Sequence, residues 1–344
     1  MLTQFKSPVH AACQSFGGAV CAGAVLLIAS NAQPQSLYVA DSNNGNIIEI
    51  APSGALNTFA SGLGFPTGLA VNSAGDLFVS DDGSRKIYEF TPSGALSTFA
   101  SGLWEPSGLA FNSAGDLFEV DHLSGEINKF TPSGAQSTFA SGLISPNGVA
   151  FNSAGHLFVA DYNGNGTGEI YEYTTNGVRS IFASGLNDPQ GLAFDEAGNL
   201  FVSDFSYYIY KYTPDGTRST FASGLSDPIG LAFNSAGDLF EADGYSGNIY
   251  KFTPGGVKSM FASGFGQPFF LAFQPVPELN IVLSGADVIL TWPTNIAGVT
   301  LQSTTNLVSP AAWSAVTPGP IILNGRNVVS NTISGAQMFY QLRH

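Results

Sequence analysis

The stretch GLAFNSAGDLFEVDHLSGEINKFTPSGAQSTFASGL, residues 108–143, is one copy of a unit that recurs along most of the chain. Its fixed landmark is an aspartate that closes LFVxD-like segments at Asp41, Asp81, Asp121, Asp161, Asp204 and Asp243. Successive spacings of 40, 40, 40, 43 and 39 residues fall in the period range of propeller blades and solenoid repeats. Inside each copy four short apolar runs, PxGLAF, LFVxD, IYxFTP and STFASGL, are divided by NSAG and TPSG turns. Gly, Pro, Ser and Asn at these points favour tight reversals, so each copy reads as four antiparallel strands. Such a unit cannot bury both of its faces alone, and radial stacking of its copies gives a β-propeller.

The repeat is out of phase with the chain. Its first copy begins at Leu37 with LYVAD, the second strand of a unit, while a last PxxLAF copy at Pro268–Phe273 has no strands after it. Pairing these two segments completes a set, so an all-β fold is expected, with residues 33–275 forming a six-bladed β-propeller closed by a C-terminal inner strand. The pattern PxGLAFxxxGxLFVxDxxxxxIYxF over residues 37–275 resembles the NHL-repeat and gluconolactonase/regucalcin-like superfamily of six-bladed propellers. Within that resemblance two activities are implied, a binding module or a metal-dependent lactonase-like hydrolase, because the superfold hosts both.

Residues 1–32 carry Lys6, the apolar run AVCAGAVLLIA and then Ser30-Asn31-Ala32, the layout of a secretory signal peptide. A secreted chain, extracellular or periplasmic, with no membrane span in its mature part is therefore expected. Both cysteines, Cys13 and Cys21, fall inside this segment, so the mature protein has no thiol for a disulfide or a nucleophile. The formal charge of −14 repels phosphate backbones and argues against nucleic acid as a partner. After Pro275-Val276-Pro277 the repeat gives way to segments such as DVILTWP and GVTLQSTT. Residues 276–344 are expected to form a small β-sandwich resembling fibronectin type III tails, with Trp292 and Trp313 in its core.

Comparison of the six copies with one another separates two faces. The NSAG and TPSG turns barely vary, whereas the loops after LFVxD and before PxGLAF differ in every copy. Diverse loops on a rigid scaffold are where binding residues reside. On that face stand Phe65, Trp104, Tyr162, Phe205, Tyr207, Tyr208 and Tyr245, flanked by Glu105, Asp188 and Asp227. Rings of this kind stack on sugars or grip a peptide, and neighbouring carboxylates orient the ligand. The expected partner is a glycan, a peptide or a cell-envelope component, bound by a monomer.

Three further readings concern charge and cations. Glu119 and Glu241 stand where the other copies have Val39, Val79, Val159 and Val202. A carboxyl in an apolar strand position either contacts a ligand or cation or takes a hydrogen bond from a neighbouring blade. The six repeated aspartates are expected to cap backbone N–H groups of the loop that follows each of them. In the fourth copy Asp161, Asn163, Asn165 and Glu172 fit the spacing of a calcium loop, D-x-[DN]-x-[DN]-G-x5-E, although an Asn/Gly turn explains the same residues. Gluconolactonase-like relatives hold a divalent cation with a Glu, an Asn and an Asp at the channel. Asn147 matches that pattern, and Gln190 stands where the resemblance implies the Asp.

Overall fold

A computed structural model describes residues 24–25, 35–164, 166–275, 279–284, 287–293, 300–304, 313–323, 326–332 and 337–343. The described residues are almost entirely strand and turn, and no helix among them is long and apolar enough to cross a membrane. Of the expected signal segment only Ala24–Val25 is described, paired in parallel with Gln337–Met338; the rest lies outside the described residues.

Six four-stranded antiparallel sheets fill residues 37–273. In sheets two to six the strands run in chain order, with inner strands Pro66–Val71, Pro106–Phe111, Pro146–Phe151, Pro189–Phe194 and Pro228–Phe233. Their second strands are Leu77–Asp81, Leu117–Asp121, Leu157–Tyr162, Leu200–Asp204 and Leu239–Asp243. Sheet one combines the two ends of the repeat: Pro268–Phe273 pairs with Leu37–Asp41, which continues into Asn46–Ile50 and Leu56–Ser61. In its register Leu37 faces Phe273 and Val39 faces Leu271. Beyond that ladder Gln274 N donates to Ser36 O at 2.9 Å, and Gln35 Nε2 donates to Gln274 O at 2.7 Å. Gln35 Oε1 in turn accepts the Ser235 N–H of sheet six at 2.8 Å.

Alternation along the second strands sends apolar side chains to both faces of each sheet, because both faces are covered by neighbours. One apolar cluster forms between each consecutive pair of sheets. Tyr38, Ala40 and Ile47 of sheet one meet Leu69, Leu77, Val79 and Phe90 of sheet two. Another cluster joins Phe240, Ala242 and Ile249 of sheet six to Leu37, Val39 and Ile50 of sheet one. Phenylalanine supplies the outer part of these layers. Phe78 lies edge-on to Phe99 at 4.9 Å and to Phe111 of the next sheet at 5.1 Å, and Phe201 repeats this with Phe221 and Phe233. Each such pair contributes roughly 0.5–1.5 kcal/mol beyond its buried area.

The glycine of PxG is fixed by crowding. A Cβ at Gly68, Gly108, Gly148, Gly191 or Gly230 would collide with the carbonyl oxygen of the next inner strand, so only glycine permits this approach. In the strand that completes sheet one, Phe270 occupies the equivalent place.

The repeated aspartates are buried caps, and the following loop that the sequence pointed to supplies only part of their donors. Most of the N–H groups come from the loop that precedes the inner strand, and fewer from the loop that follows the aspartate. Asp81 accepts from Gly64 and Phe65 at 2.9 and 2.7 Å, Asp121 from Trp104 and Glu105, Asp161 from Ile144 and Ser145. Asn187 and Ser226 donate to Asp204 and Asp243. These loops carry the chain from one sheet to the next, so each carboxylate fastens a crossing. At Asp41 the donors are Gly266 and Gln267, at 2.8 and 3.0 Å, from the other end of the repeat. Bonds from the following loop are present as well, as Ser124 N to Asp121 at 2.9 Å.

Glu119 and Glu241 are fully buried on second strands, in the register of the valines. Glu119 Oε2 accepts from Asn128 Nδ2 at 2.9 Å, and Asn128 Oδ1 accepts from Gln136 Nε2 at 3.1 Å. Its partner is thus in the same sheet, across the strand pair, rather than in a neighbouring one. Oε1 of Glu119 and both carboxyl oxygens of Glu241 are buried without a hydrogen bond. Burial pushes the Glu119 carboxyl up to about 8 despite the Asn128 bond, and burial raises Glu241 well above the usual carboxylate range. Burial thus favours the protonated form of each.

In the tail, Asn280–Ser284, Asp287–Pro293, Arg326–Thr332 and Ile321–Leu323 form one four-stranded sheet. Ala24–Val25, Gln337–Arg343, Thr300–Thr304 and Ser314–Ala315 form another. They share an apolar cluster of Val288, Leu290, Trp292, Leu301, Val329, Tyr340 and Leu342. Trp292 is buried, while Trp313 is half-buried.

Two stability outcomes follow from the buried carboxyls. Asp41→Ala leaves the Gly266 and Gln267 N–H groups without their acceptor and lowers the unfolding free energy by about 2–3 kcal/mol, read by urea denaturation. Because the folded state raises the Glu241 pKa, the stability it allows at low pH is lost as pH rises above the unfolded value of about 4.3. Glu241→Val, the residue of four other copies, raises the unfolding free energy at pH 8 by about 1–3 kcal/mol and flattens the decline between pH 5 and 8. An unchanged pH profile in that variant would mean that the carboxyl is not the group that titrates.

Candidate functional site at the loop face

Antiparallel connectivity puts both sets of variable loops at the same end of the sheets, opposite the NSAG and TPSG turns. The loop after each second strand is tied to the residue just before the inner strand of the same sheet. Ser42 N bonds Gln267 O, Asp82 N bonds Phe65 O, His122 N bonds Glu105 O, Tyr162 N bonds Ser145 O, and Gly244 N bonds Asp227 O, all at 2.8–3.2 Å. Phe205 N is shared between Asn187 O and Asp188 O. Six paired positions therefore surround the mouth, each with its own side chains.

Below them lies the residue before glycine in PxG. Thr67 Oγ1 donates to Pro106 O at 2.9 Å, and Ser107 Oγ donates to Asn147 Oδ1 at 2.8 Å. Asn147 Nδ2 donates to Gln190 Oε1 through a short bond, and Gln190 Nε2 donates to Asp188 Oδ1 at 2.6 Å. A continuous polar belt thus runs across three sheets and ends on a carboxylate. On the other side the same level is apolar, with Ile229 buried and Phe269 edge-on to Phe65 at 6.3 Å. Both polar atoms of Asn147 take part in this belt, its oxygen through one of its two lone pairs.

Charge at the mouth is mostly negative. Burial raises the carboxyl of Asp82, and Glu105 and Asp81 add to it. Burial raises Asp188 too, offset by His122 and by the Gln190 hydrogen bond. Asp227 is pushed up to about 6 by burial and by the charges of Asp243 and Asp188. Glu105, Asp188 and Asp227 were expected on this face from the sequence, but not that their charges act on one another. Nothing local marked the groups of the mouth as neighbours, since they come from loops on four different sheets.

Of the predicted aromatic residues, Trp104 and Tyr245 are the most open, at 57% and 78% exposure, and Phe205, Tyr207 and Tyr208 are also exposed. Tyr162 and Glu105 are half-buried. Arg85 places its guanidinium 5.8 Å from the Trp104 ring, Phe205 and Tyr207 pack 6.2 Å apart, and Tyr208 stacks on Tyr210 at 5.6 Å. Glu119 and Glu241 lie inside the sheet layers and do not join this surface.

Backbone strain gathers on the same face. Among the described residues, the non-glycine residues with left-handed φ are Arg85 (59°), Asp188 (55°) and Tyr207 (72°). Gly45, Gly125 and Gly247 hold the turn position that Arg85 and Tyr207 occupy. A side chain there costs about 1–2 kcal/mol relative to an ordinary backbone conformation.

The calcium-loop spacing does not bring its residues together. Asp161 pairs with Glu169 in the strand register, whereas Glu172 pairs with Phe158, three residues or about 10 Å further along. The Asp161 carboxylate caps Ile144 and Ser145, and Glu172 Oε1 contacts His156 Nδ1 at 2.7 Å beside the NSAG turn. Asn163 N bonds Thr167 O at 2.9 Å, closing the inserted loop as a turn. Asn165 lies outside the described residues. No three His, Cys, Asp or Glu side chains among the described residues converge as a metal site. On the uniform face, hollows of about 450 and 320 Å³ open between sheets two and three and between sheets five and six, lined by the repeated phenylalanines and turn residues.

No family model matches the sequence, and no curated protein matches it. Solved structures do. A chain of a nidogen/laminin complex aligns with a TM-score of 0.65 at 19% identity, covering 70% of this chain and 98% of that one. A gluconolactonase from Xanthomonas campestris gives 0.57 at 16%, covering 76% and 95%. A streptogramin B lyase gives 0.56 at 16%, covering 74% and 86%. Identities this low carry the architecture alone, and the architecture common to these neighbours and this chain is the β-propeller.

Proposed function

We propose that the chain is a secreted propeller that binds a glycan, peptide or cell-envelope component through its loop face. In this reading the six sheets are the blades of one ring, closed by Pro268–Phe273, and residues 276–344 are a sandwich appended to it. The reading of the ring is supported by the pairing of Leu37–Asp41 with Pro268–Phe273 and by the apolar cluster between sheets six and one. The secreted location rests on the sequence of residues 1–32.

One observation carries the binding reading. Arg85 and Tyr207 occupy a left-handed turn position that three other copies fill with glycine, and both contribute to an exposed aromatic surface. Folding alone favours glycine there, so the side chains are retained against stability. A nidogen/laminin neighbour adds that a propeller of this shape is found in a protein–protein complex.

A lactone-opening hydrolase is the second reading. It is favoured by the Asp227 carboxyl at about 6, a value suited to general acid or base work near neutral pH, and by the gluconolactonase neighbour.

On immobilised glycan and peptide arrays, the binding reading expects a ligand whose retention falls at least about tenfold in Trp104→Ala and Tyr245→Ala. Retention unchanged in both variants ends the assignment. Arg85→Gly and Tyr207→Gly are each expected to raise the unfolding free energy by about 1 kcal/mol while weakening that retention. The hydrolase reading expects turnover in a lactone panel with Ca²⁺, Mn²⁺ or Zn²⁺ that is lost in Asp227→Asn; absence of turnover with all three ions removes it.

A further inference from the structure

The layers between consecutive sheets, the seams, are not alike. In four of them the middle of a second strand brings a valine to a small apolar residue of the preceding sheet. Val39 joins Ala242, Val79 joins Ala40, Val159 joins Val120 and Val202 joins Ala160, each pair within one apolar cluster. The seams between sheets two and three and between sheets five and six differ at both positions. Glu119 and Glu241 replace the valine, and Ser80 and Ser203 replace its partner. Alternation puts each serine and its glutamate in one seam. Ser80 shares a side with Phe78, and Glu119 with Leu117, which meet in one cluster; Phe201 and Leu239 meet likewise beside Ser203 and Glu241.

Each serine reaches over its seam. Ser80 Oγ donates to Ser107 O of sheet three through a short bond, and Ser203 Oγ donates to Ile229 O of sheet six at 2.5 Å. Each also accepts an N–H of its own inner strand, from Gly68 at 2.8 Å and from Gly191 at 2.7 Å. Against these bonds stand the carboxyls, with Oε1 of Glu119 and both oxygens of Glu241 buried and unbonded. The hollows of the uniform face open at the same two seams, and their linings include Leu117 and Leu239. These leucines lie two residues from the carboxyls on the same side of the strand, or about 7 Å. Water entering there has a short path to a group that an apolar layer cannot hold as a charge.

The two seams divide the six sheets into three and three, and the mouth divides at the same places. The belt from Ser107 through Asn147 to Gln190 ties sheets three, four and five. In the other half Phe269 of sheet one packs on Phe65, at the entry to sheet two. We propose that these two seams are hinges at which the halves part when Glu119 and Glu241 ionise, the bonds from Ser80 and Ser203 to the facing carbonyls restoring register on closure. The division into halves rests on the ring reading given above.

The groups around each carboxyl set the direction of the response. Beside Glu119 are Asn128, which donates to it, and Asp121 and Glu126, which oppose its charge; Glu89 faces from sheet two at the hollow. Beside Glu241 are Tyr250, opposite it in the register, Asp243 and Asp227, which oppose its charge, and Lys258, which favours it. From sheet five Lys211 lines the hollow, paired with Asp195 at 3.6 Å. Burial outweighs Lys258 and Asn128, so both carboxyls are raised in the closed seam, Glu119 to about 8. A parted seam returns them to the ordinary value of about 4.3. Closure is therefore fully favoured below about pH 4.3 and loses ground as pH rises toward the closed values.

The second alanine-bearing position of PxGLAF supplies one reporter per seam. Ala70 and Ala193 lie in the hinge seams, and Ala110 and Ala272 in two of the others. Each is changed singly to cysteine in the full chain, and reaction with a pyridyl disulfide is followed by peptide mapping, which separates the new thiol from Cys13 and Cys21. The rate is divided by that of free cysteine at the same pH. Between about pH 5 and pH 8 this ratio is expected to rise at least about tenfold in Ala70→Cys and Ala193→Cys, and less than about twofold in Ala110→Cys and Ala272→Cys. Because each half moves as one body, Glu119→Gln, which keeps the shape and cannot ionise, lowers the response of Ala193→Cys as well as that of Ala70→Cys. Glu119→Val serves the same purpose where the glutamine variant does not fold. The proposal is overturned if all four reporters rise alike, if neither hinge reporter rises, if the rise survives Glu119→Gln combined with Glu241→Gln, or if each glutamine acts on its own seam alone. Fast reaction of Ala272→Cys at both pH values means that the closing strand is undocked, and the ring reading fails together with the hinge. Slow reaction there with no response in Ala70→Cys leaves the ring standing and removes the hinge.

Discussion

The carboxylate at the end of each second strand is the constraint on which the rest of the molecule depends. The chain passes from one sheet to the next only through a loop, and a loop exposes N–H groups that no ladder can satisfy. Asp81, Asp121, Asp161, Asp204 and Asp243 take those N–H groups from inside the sheet. They thereby fix where the crossing chain enters its inner strand. That fixed point places the PxG glycine against the next carbonyl and brings six inner strands into close approach. The paired positions of the mouth inherit their geometry from it, since each begins one residue beyond such an aspartate. Variation in the loops is affordable because the anchor does not vary.

The same second strands carry two carboxyls that do the opposite. Glu119 and Glu241 sit in valine positions, poorly supplied with donors. They weaken the layers they occupy, whereas the anchoring aspartates strengthen theirs. Their difference from the aspartates lies two residues along one strand and consists only in whether backbone N–H groups are near. Burial is common to both; partnership decides the sign.

Much of the architecture could be read from sequence because its signal repeats. Six copies of one pattern expose strand order, turn positions and the phase shift at Leu37 and Pro268, and averaging over copies cancels local noise. The aspartates were legible as caps, yet the direction of their donors was not: a local reading looks to adjacent residues, and the donors lie sixteen or seventeen positions upstream, or at Gly266 and Gln267 for Asp41. Asn128 had a signal that went unread, standing where other third strands have Tyr88, Tyr171, Tyr210 and Tyr250, directly across from Glu119. The exposed aromatics were legible as a face because they sit in variable loops. The hydrogen bonds of the Ser107–Asn147–Gln190–Asp188 belt were not, since Ser107, Asn147 and Gln190 lie about a repeat apart and meet only when the inner strands converge. The spacing in the fourth copy misled for a related reason: a calcium loop needs its residues to wrap a point, and a straight strand carries Glu172 away from Asp161.

The clasp at Ser36 and Gln274 has a mechanical side. In the antiparallel pair of Leu37–Asp41 with Pro268–Phe273, the chain enters and leaves at the same end. Tension between the N-terminal segment and the tail therefore pulls perpendicular to the ladder and loads its bonds one pair at a time, an unzipping geometry rather than a shearing one. The first bonds to carry that load are those of Gln274 with Ser36 and Gln35. A protein held at both ends would accordingly yield at this joint before any other sheet felt the force.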